Sequence, residues 1–463
     1  MLPPNLALIL GFFCVVYLFK WVPTQQAAIT SYIVGYTLLP QFGFVFPMLI
    51  PGGRMAIVTY AVILGILLFD IKFVKNFRFV WLDLPIIIFC ICPFISSIDN
   101  NLGVFDGVKE VFSRTISWGA PYFIGRIFLS SLHGMRKLAI TFFASGVAYI
   151  PLCWYESFRG PLLHWQLYGI SPFPDWSQAQ RWGGWRPIVF LNHGLEVGLW
   201  MMATALIGIW LWKTGSLRRF LGMPMKQLSP VLFLTFLWVK STGAWILMAI
   251  GLAVFFTGRW LRTSFLMLVL LISISFYLYS ATLTPEATVG SQILPIMQST
   301  FGQDRASSLQ FRLMMEDMLV EKAHQRLLFG WGGSGRSRVL DPITGRDKVV
   351  TDSHWIMIFG ENGLLGIFSW LTSFLLPLVA FMKCYPTFLW YHPKVAPTAA
   401  LAVVVLLFMV DSLLNAASPT IYLMAVGGIA GVSSGFHAIE GLWGTSTKVA
   451  SNYANHDSQT AVK

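Results

Sequence analysis

The sequence predicts an all-α, polytopic helical membrane protein with about 12 to 14 transmembrane helices. Of its 463 residues, 56% are hydrophobic and only 11% are charged, whereas soluble domains average about 45–50% apolar and about 25% charged residues. Many apolar runs also approach the ~20 residues that a helix needs to cross a bilayer. A transmembrane barrel would show short alternating segments instead, so the pattern favours helices.

Apolar runs along the chain give thirteen candidate spans. They are 5–22, 27–50, 55–71, 79–98, 113–132, 137–155, 188–212, 228–240, 242–257, 264–281, 355–381, 396–414 and 419–436. The first lacks a basic n-region and an A-x-A cleavage site, so it is predicted as a span and not as a signal peptide. The run 27–50 contains Pro40 and Gly43 and is also compatible with a broken pair of helices. The run 113–132, with Arg114 and Arg126, is the least apolar.

The run 228–257 is interrupted by Lys240, Ser241, Thr242 and Gly243. As one helix it would be about 45 Å long, which exceeds the ~30 Å apolar core of a bilayer. Basic residues flank both of its ends, which predicts a hairpin of two short helices with both ends cytoplasmic. Lys240 would then lie at partial depth near the outer side. It either lines a cavity, as broken helices often do, or snorkels at a tight turn.

Basic clusters orient the other spans, because short cytoplasmic loops are enriched in lysine and arginine. This predicts one membrane domain, 1–436, with extracytoplasmic loops at about 156–187 and 282–354, followed by a polar, disordered tail at 437–463. The net charge of +12 follows largely from these topology determinants beside anionic lipid, so nucleic acid is not an expected partner. The five cysteines lie in or beside spans without metal-ligand spacing, so we expect no metal.

The outer loop 156–187 combines Arg159, Arg181 and Arg186 with four tryptophans at positions 165, 176, 182 and 185. Aromatic faces suit sugar rings, and guanidinium groups suit phosphates. An interfacial aromatic belt would also explain single tryptophans. The RWGGWRP cluster, however, exceeds what a belt requires.

The stretch Ser307–Leu365 concentrates polar residues between two apolar blocks, which favours a functional role because polar groups are costly near a bilayer. Ser307 and Gln310 form a capping-box pattern, and the apolar spacing predicts an amphipathic helix over 308–328. On it, Arg312 lies one turn from Glu316 and has a surface ion pair as its simpler explanation. A loop with four glycines then precedes Arg336 and Arg338, and its backbone N–H groups are candidate anion donors.

Thr351, Asp352, Ser353 and His354 lead directly into the next apolar run. Asp and Ser commonly cap helices, which is the simpler explanation for Asp352 and Ser353. A carboxylate and a histidine at the membrane boundary are also what proton abstraction beside a phosphate would need.

Together these features resemble the O-antigen ligase/polysaccharide polymerase superfamily. The resemblance rests on Arg312 before a Gly-x-Gly turn, on the E-x-G-x-x-G pattern of Glu361, Gly363 and Gly366, and on the segments VKSTGAWILMAIGLAVFF, YFIGR and RPIVFLNHG. It covers about 110 to 435, and the most specific part is 307–366. The histidine of the ligases would fall at Asp352 here, with His354 two residues late, which favours a polymerase branch over ligation.

The resemblance implies a metal- and cofactor-independent, inverting glycosyltransferase of the bacterial inner membrane. It would transfer glycan from an undecaprenyl-diphosphate donor to a hydroxyl of a glycan or lipid acceptor during cell-surface polysaccharide or exopolysaccharide assembly, with other assembly proteins as further candidate partners. Arg312 and Arg186, or else Arg181, would bind the diphosphate, and Asp352 or His354 would accept the proton. Lys240, Arg336 and Arg338 have no family counterpart and are candidates on physical grounds.

Two other function classes fit the same residues. A transporter or flippase for a lipid-linked or amphipathic substrate would suit a broken helix and outward-facing arginines. Against it stand the lack of paired half-symmetry and the scarcity of acids within spans, chiefly Glu196 and Asp411. A non-catalytic scaffold would not need the arginines of the loop.

Overall fold

The computed structural model describes residues 1–44, 51–72, 77–172, 176–283, 303–341, 343–349 and 353–434. It is an all-α fold: the only strands in these ranges form two short antiparallel hairpins, Gln180–Arg181 with Gly184–Trp185 and Arg219–Phe220 with Met223–Pro224. The predicted disordered tail 437–463 lies outside the described residues.

Helices follow one another through most of the described chain. They are α1 (Pro4–Trp21), α2 (Thr24–Leu38), α3 (Arg54–Phe69), α4 (Leu84–Asp99), α5 (Val104–Arg114), α6 (Ala120–Phe128), α7 (Leu132–Arg159), α8 (Leu163–Tyr168), α9 (Gly194–Lys213), α10 (Met225–Trp238), α11 (Thr242–Trp260), α12 (Phe265–Leu283), α13 (Gln303–His324), α14 (His354–Cys384), α15 (Ala396–Asp411) and α16 (Thr420–Ser434).

Seven helical segments in the described chain are long and apolar enough to cross a membrane. They are Pro4–Trp21, Trp81–Asp99, Leu132–Arg159, Gly194–Lys213, Thr242–Trp260, Phe265–Leu283 and His354–Cys384. Three shorter apolar helices, α3, α15 and α16, accompany them. Every predicted span overlaps a helix, but crossing depends on the position of the bilayer, so the count of 12 to 14 stays a prediction.

Two predicted spans have different boundaries in the structure. Within the described part of the run 27–50, which ends at residue 44, the helix ends at Leu38, because Pro40 cannot continue the backbone hydrogen bonding of the helix. The run 113–132 starts earlier: α5 begins at Val104 and continues into α6 through a π-helical segment, Thr115–Gly119. Such π segments are frequent at functional sites, because they turn neighbouring side chains out of helical register.

Helix α9 lies at the centre of the bundle, and nearly all of its side chains are buried. It packs against α7, α10, α11 and α15, while α16 packs against α6 and α14. By contrast, α1 and α12 leave many large apolar side chains exposed, as expected where a helix faces lipid hydrocarbon. The core is thus a packed helical bundle with apolar helices on its periphery.

The interruption predicted within 228–257 is present as the end of α10 at Trp238 and the start of α11 at Thr242. Lys240 has a positive φ of 57°, an unfavourable conformation for a residue with a Cβ atom. Both helices pack against α9. The depth of this break in a bilayer remains a prediction.

The helix predicted over 308–328 occupies Gln303–His324 instead. Ser307 therefore lies inside the first turns of α13, and the capping-box prediction is wrong. The apolar residues Leu319, Val320 and Ala323 are buried, and α13 packs against α14.

Candidate active site

His354 begins α14 and is buried. Its Nε2 lies 2.6 Å from the carbonyl oxygen of Ala417. A carbonyl can only accept, so Nε2 carries the proton and Nδ1 is the basic nitrogen of the neutral ring. The ring also makes an edge contact with Trp118, at 5.6 Å between centroids. The structure thus places this predicted base in a defined tautomer against the π-helical segment that joins α5 and α6.

Trp118 lines a cavity of about 430 Å³, within the range of about 300–1,000 Å³ typical of small-molecule sites. We call it the Arg54 cavity. Its described lining is mostly polar or small and comprises Gln41, Phe42, Gly43, Pro51, Gly53, Arg54, Met55, Ala56, Thr59, Ser117, Trp118, Asn192, Ser418, Pro419 and Thr420. Segments far apart in the sequence form it: residues 41–43 with 51–59, the π-helical segment, and the turns before α9 and α16.

Arg54 is the charged residue of this lining and is only 5% exposed. Its Nη1 donates to the carbonyl oxygens of Leu39, at 3.0 Å, and Phe190, at 2.9 Å. The guanidinium also lies over the ring of Tyr36, 5.3 Å from its centroid. With the Gln41 amide turned to satisfy both of its polar atoms, its oxygen accepts from Arg54 and its nitrogen donates to Asn192. The hydrogen-bond partners of the guanidinium are therefore neutral groups, and Glu196 acts on it through its charge.

Glu196, in the first turn of α9, is a buried carboxylate that contacts residues of the cavity wall. It accepts from the Tyr36 hydroxyl at 2.9 Å, from the Asn192 backbone N–H at 2.9 Å and from the Ser418 backbone N–H at 3.2 Å. These three donors fix two segments of the cavity wall. A charged group in the interior needs such compensation, which is why this acid within an apolar run is tolerated.

Arg114, at the end of α5, reaches the E-x-G-x-x-G segment of α14. Its Nη2 donates to Glu361 at 2.8 Å and to Asn362 at 3.0 Å, and its guanidinium lies over the rings of Phe89 and Trp118. The Arg114–Glu361 pair thus connects the wall of the Arg54 cavity with α14, next to the kink of this helix at Gly363. Glu361 therefore joins α14 to α5 in this structure.

Arg181, Arg186 and Lys240, three predicted substrate-binding residues, come together beside the first outer loop. The Lys240 ammonium donates to the carbonyl oxygen of Arg181 at 3.2 Å, and Arg186 donates to the carbonyl oxygen of Lys240 at 3.3 Å. The chain between Arg186 and Asn192 then passes Phe190, whose carbonyl accepts from Arg54. Residues 186–192 therefore run from this cationic cluster to the wall of the Arg54 cavity.

Glu156, fully buried near the end of α7, shapes the same segment. Its carboxylate accepts from the backbone N–H groups of Leu163 at 2.8 Å, Ile188 at 2.8 Å and Val189 at 2.7 Å. These bonds tie the two ends of the first outer loop together. Sequence reasoning placed Glu156 at the loop boundary but gave it no role.

The glycine-rich loop contacts protein backbone. The N–H groups of Trp331 and Gly332 donate to the carbonyls of Gly360, at 2.8 Å, and Glu361, at 2.9 Å. Gly330 and Gly363 both have positive φ, and a Cβ on either would overlap the backbone of the other segment. The glycines therefore permit close approach of the loop to the kink in α14, and these two N–H groups are occupied within the protein.

Both arginines of this loop have carboxylate partners. Arg336 makes a two-bond pair with Asp106, at 2.7 and 3.1 Å, and Arg338 pairs with Asp347 at 2.8 Å. The pairing with Arg336 lowers the pKa of Asp106 below its usual value. Neutralised in this way, both arginines are weaker candidates for a ligand anion than their spacing suggested.

Two predicted site residues lie beyond what the structure describes. Asp352 is outside the described residues, as is the side chain of Arg312, although its backbone is part of α13. Glu316 on the same helix accepts from the Tyr277 hydroxyl at 3.1 Å. Burial raises the pKa of this carboxyl to about 7, and the neighbouring Asp317 adds to the rise.

Arg54, Arg114 and Glu156 are site-forming residues to which the sequence reasoning assigned no functional role. One signal points to Arg54: it begins an apolar run whose other end carries the cluster Lys72, Lys75 and Arg78. An arginine at the predicted outer end runs against the positive-inside bias. Among the described residues, no group of three or more His, Cys, Asp or Glu side chains could hold a metal.

Comparison of the chain with family models finds no match, and comparison with curated proteins finds no relative. The superfamily resemblance therefore rests on its motifs alone, and it enters the functional assignment only as a proposal.

Proposed function

We propose that the protein is an inverting glycosyltransferase of the bacterial inner membrane that polymerises or ligates glycan from an undecaprenyl-diphosphate donor. The observation that supports it most is the Arg54 cavity, in which a buried guanidinium and a tryptophan in contact with His354 meet within an apolar helical bundle. A cavity of this size, with amide and hydroxyl side chains in its lining and membrane-spanning helices beside it, suits a hydrophilic saccharide presented on a lipid. In the proposed topology, the cavity and the large loop face the extracytoplasmic side.

The reaction places few demands on the protein. An acceptor hydroxyl oxygen forms a new bond to the anomeric carbon as the bond from that carbon to the phosphate oxygen breaks. The electron pair leaves with the lipid diphosphate, and the hydroxyl proton passes to a base. In this proposal Nδ1 of His354 is the base, because its other nitrogen is committed to Ala417. Asp352, two residues before it, is the alternative base.

The departing diphosphate needs cations, since negative charge develops on it in the transition state. Arg186 and Lys240 are joined to each other and to the backbone that leads to the Arg54 cavity. We assign them, with Arg181 beside them and Arg312 on α13, to diphosphate binding. Arg336 and Arg338 are left out of this role because each already pairs with a carboxylate.

The decisive experiment supplies purified protein in detergent with an undecaprenyl-diphosphate oligosaccharide and measures free undecaprenyl diphosphate together with lengthened glycan. We expect both products to appear in step. The Arg186→Gln variant should reduce both, whereas Arg136→Gln, at an arginine that donates to the carbonyl of Ser216, serves as the control and should not.

The same assay separates this proposal from transport. A flippase would release no lipid diphosphate in detergent, but in sealed vesicles it would move the intact lipid-linked glycan between leaflets. Intact donor after prolonged incubation with well-folded protein, combined with movement in vesicles, would overturn the transferase proposal.

A further inference from the structure

We propose that the Arg54 cavity is a saccharide subsite that selects a sugar unit carrying a single carboxylate, such as a uronic acid. The inference rests on the proposed function, and it goes beyond that function by assigning a charge to the substrate. Three observations support it: the hydrogen-bond partners of Arg54, the number of charged side chains in the cavity, and the other residues that line it.

The first observation is the partners of Arg54. Its guanidinium donates to two main-chain carbonyls and to the Gln41 amide, all of them neutral. It has no carboxylate within ion-pair distance among the residues that the structure describes. Glu196, the nearby acid, acts on Arg54 through its charge, but it makes no ion pair with Arg54 and its oxygens accept from three other donors. A buried cation in this setting favours an anion in the adjoining space.

The second observation is the number of charges. Arg54 is the only charged side chain in the described lining, and Glu196 lies just behind the wall. A diphosphate carries at least two negative charges and would require several cations in a site that excludes water. One guanidinium matches one carboxylate in charge, and its hydrogen bonds to a carboxylate are charge-assisted.

The third observation is the rest of the lining. Gln41 and Asn192 offer amides, and Ser117, Ser418 and Thr420 offer hydroxyls. Both groups donate and accept, as sugar hydroxyls do. Trp118 provides an aromatic surface, on which the apolar face of a sugar ring can pack. A single cation among many neutral hydrogen-bonding groups describes an acidic sugar better than a phosphate ester or a lipid tail.

The location of the Arg54 cavity fits a site for the acceptor sugar. Trp118 contacts the ring of His354 and also lines the cavity. A sugar bound here would place its hydroxyls near the proposed base. The cationic cluster of Arg186 and Lys240 lies at the far end of the 186–192 segment, so donor diphosphate and acidic acceptor would occupy neighbouring but separate places.

Binding can be measured without turnover, which separates this inference from the proposed function. Full-length protein in detergent micelles is titrated with methyl β-D-glucuronide and, separately, with methyl β-D-glucoside, and binding is followed by saturation-transfer NMR. We expect the glucuronide to bind at least about tenfold more tightly, the lower range of a charge-assisted hydrogen bond. In Arg54→Gln the preference should fall to about one, whereas Arg54→Lys should retain part of it.

Asn192→Asp provides a second variant, because Arg54 and its backbone partners stay in place while a carboxylate is added to the lining. The glucuronide preference should again fall to about one. Equal binding of the two glycosides by the native protein, or an unchanged preference in Asn192→Asp, would overturn the inference. So would inorganic diphosphate that displaces the glucuronide and binds more tightly in an Arg54-dependent manner, since the cavity would then be the phosphate site.

Discussion

The glycine-rich loop 330–338 and the Arg54 cavity present arginines in opposite ways. In the loop, Arg336 and Arg338 lie close in sequence and are partly or largely exposed, and each has an acidic partner. In the cavity, one arginine stands alone in an apolar stretch of sequence, is buried, and is held by neutral carbonyls. The difference teaches that the spacing of arginines in the sequence does not tell which of them will have an acidic partner. What matters is whether the fold has already supplied the counter-charge.

The largest effect is expected for His354, the proposed base beside the Arg54 cavity. His354→Gln should lower the rate of glycan transfer by about 10²–10⁴-fold, the usual contribution of a general base, while donor binding is kept. The measurement is the rate of undecaprenyl diphosphate release at saturating donor. His392→Gln, at an exposed turn, is the matched control. Near-normal turnover in His354→Gln would move the base to Asp352.

A substitution of Glu156 tests how much its buried hydrogen bonds to backbone N–H groups contribute to the stability of the protein. Glu156→Ala leaves three N–H groups without their acceptor, and each buried unsatisfied group costs about 1–3 kcal/mol. We expect the free energy of unfolding to fall by about 3 kcal/mol or more, measured as a lower midpoint of thermal denaturation in detergent. A shift no larger than that of the control Glu321→Ala would show that these bonds are replaced by water.

The pair of Arg336 with Asp106 should be of intermediate importance and should depend on pH. The pKa of Asp106 is lower in the folded protein than in the unfolded chain, so its stabilisation is fully present above the unfolded pKa and is lost as pH falls through the folded value. Between pH 5 and pH 3 (roughly the range that brackets the unfolded value), the native protein should therefore lose more stability than Arg336→Gln does. Parallel stability curves for the two proteins would contradict this.

The smallest effect is expected for Arg338. Its side chain is 57% exposed and that of Asp347 is 43% exposed, and such surface pairs contribute about 0–1 kcal/mol. Arg338→Ala should change neither the thermal midpoint nor glycan transfer measurably. A large loss of transfer in Arg338→Ala with stability unchanged would reverse the comparison, because it would make the exposed loop, and not the buried cavity, the ligand site.

The sequence by itself determined the helical class and the approximate positions of the apolar helices, because long apolar runs have no other stable arrangement in a bilayer. It also located the break at Lys240 and brought attention to His354, since polar residues stand out in an apolar chain. Local signals were weaker at element ends: Ser307, the predicted cap, lies within α13.

Only the tertiary structure decided which polar groups satisfy one another. The Arg336–Asp106 pair joins residues 230 positions apart, and Glu196 binds Tyr36 across 160 positions. The Arg54 cavity likewise draws its wall from four separate stretches of chain. Hydrogen bonds and ion pairs act over a few ångströms in space, and the sequence does not show which distant residues the packing of apolar helices will bring within that range.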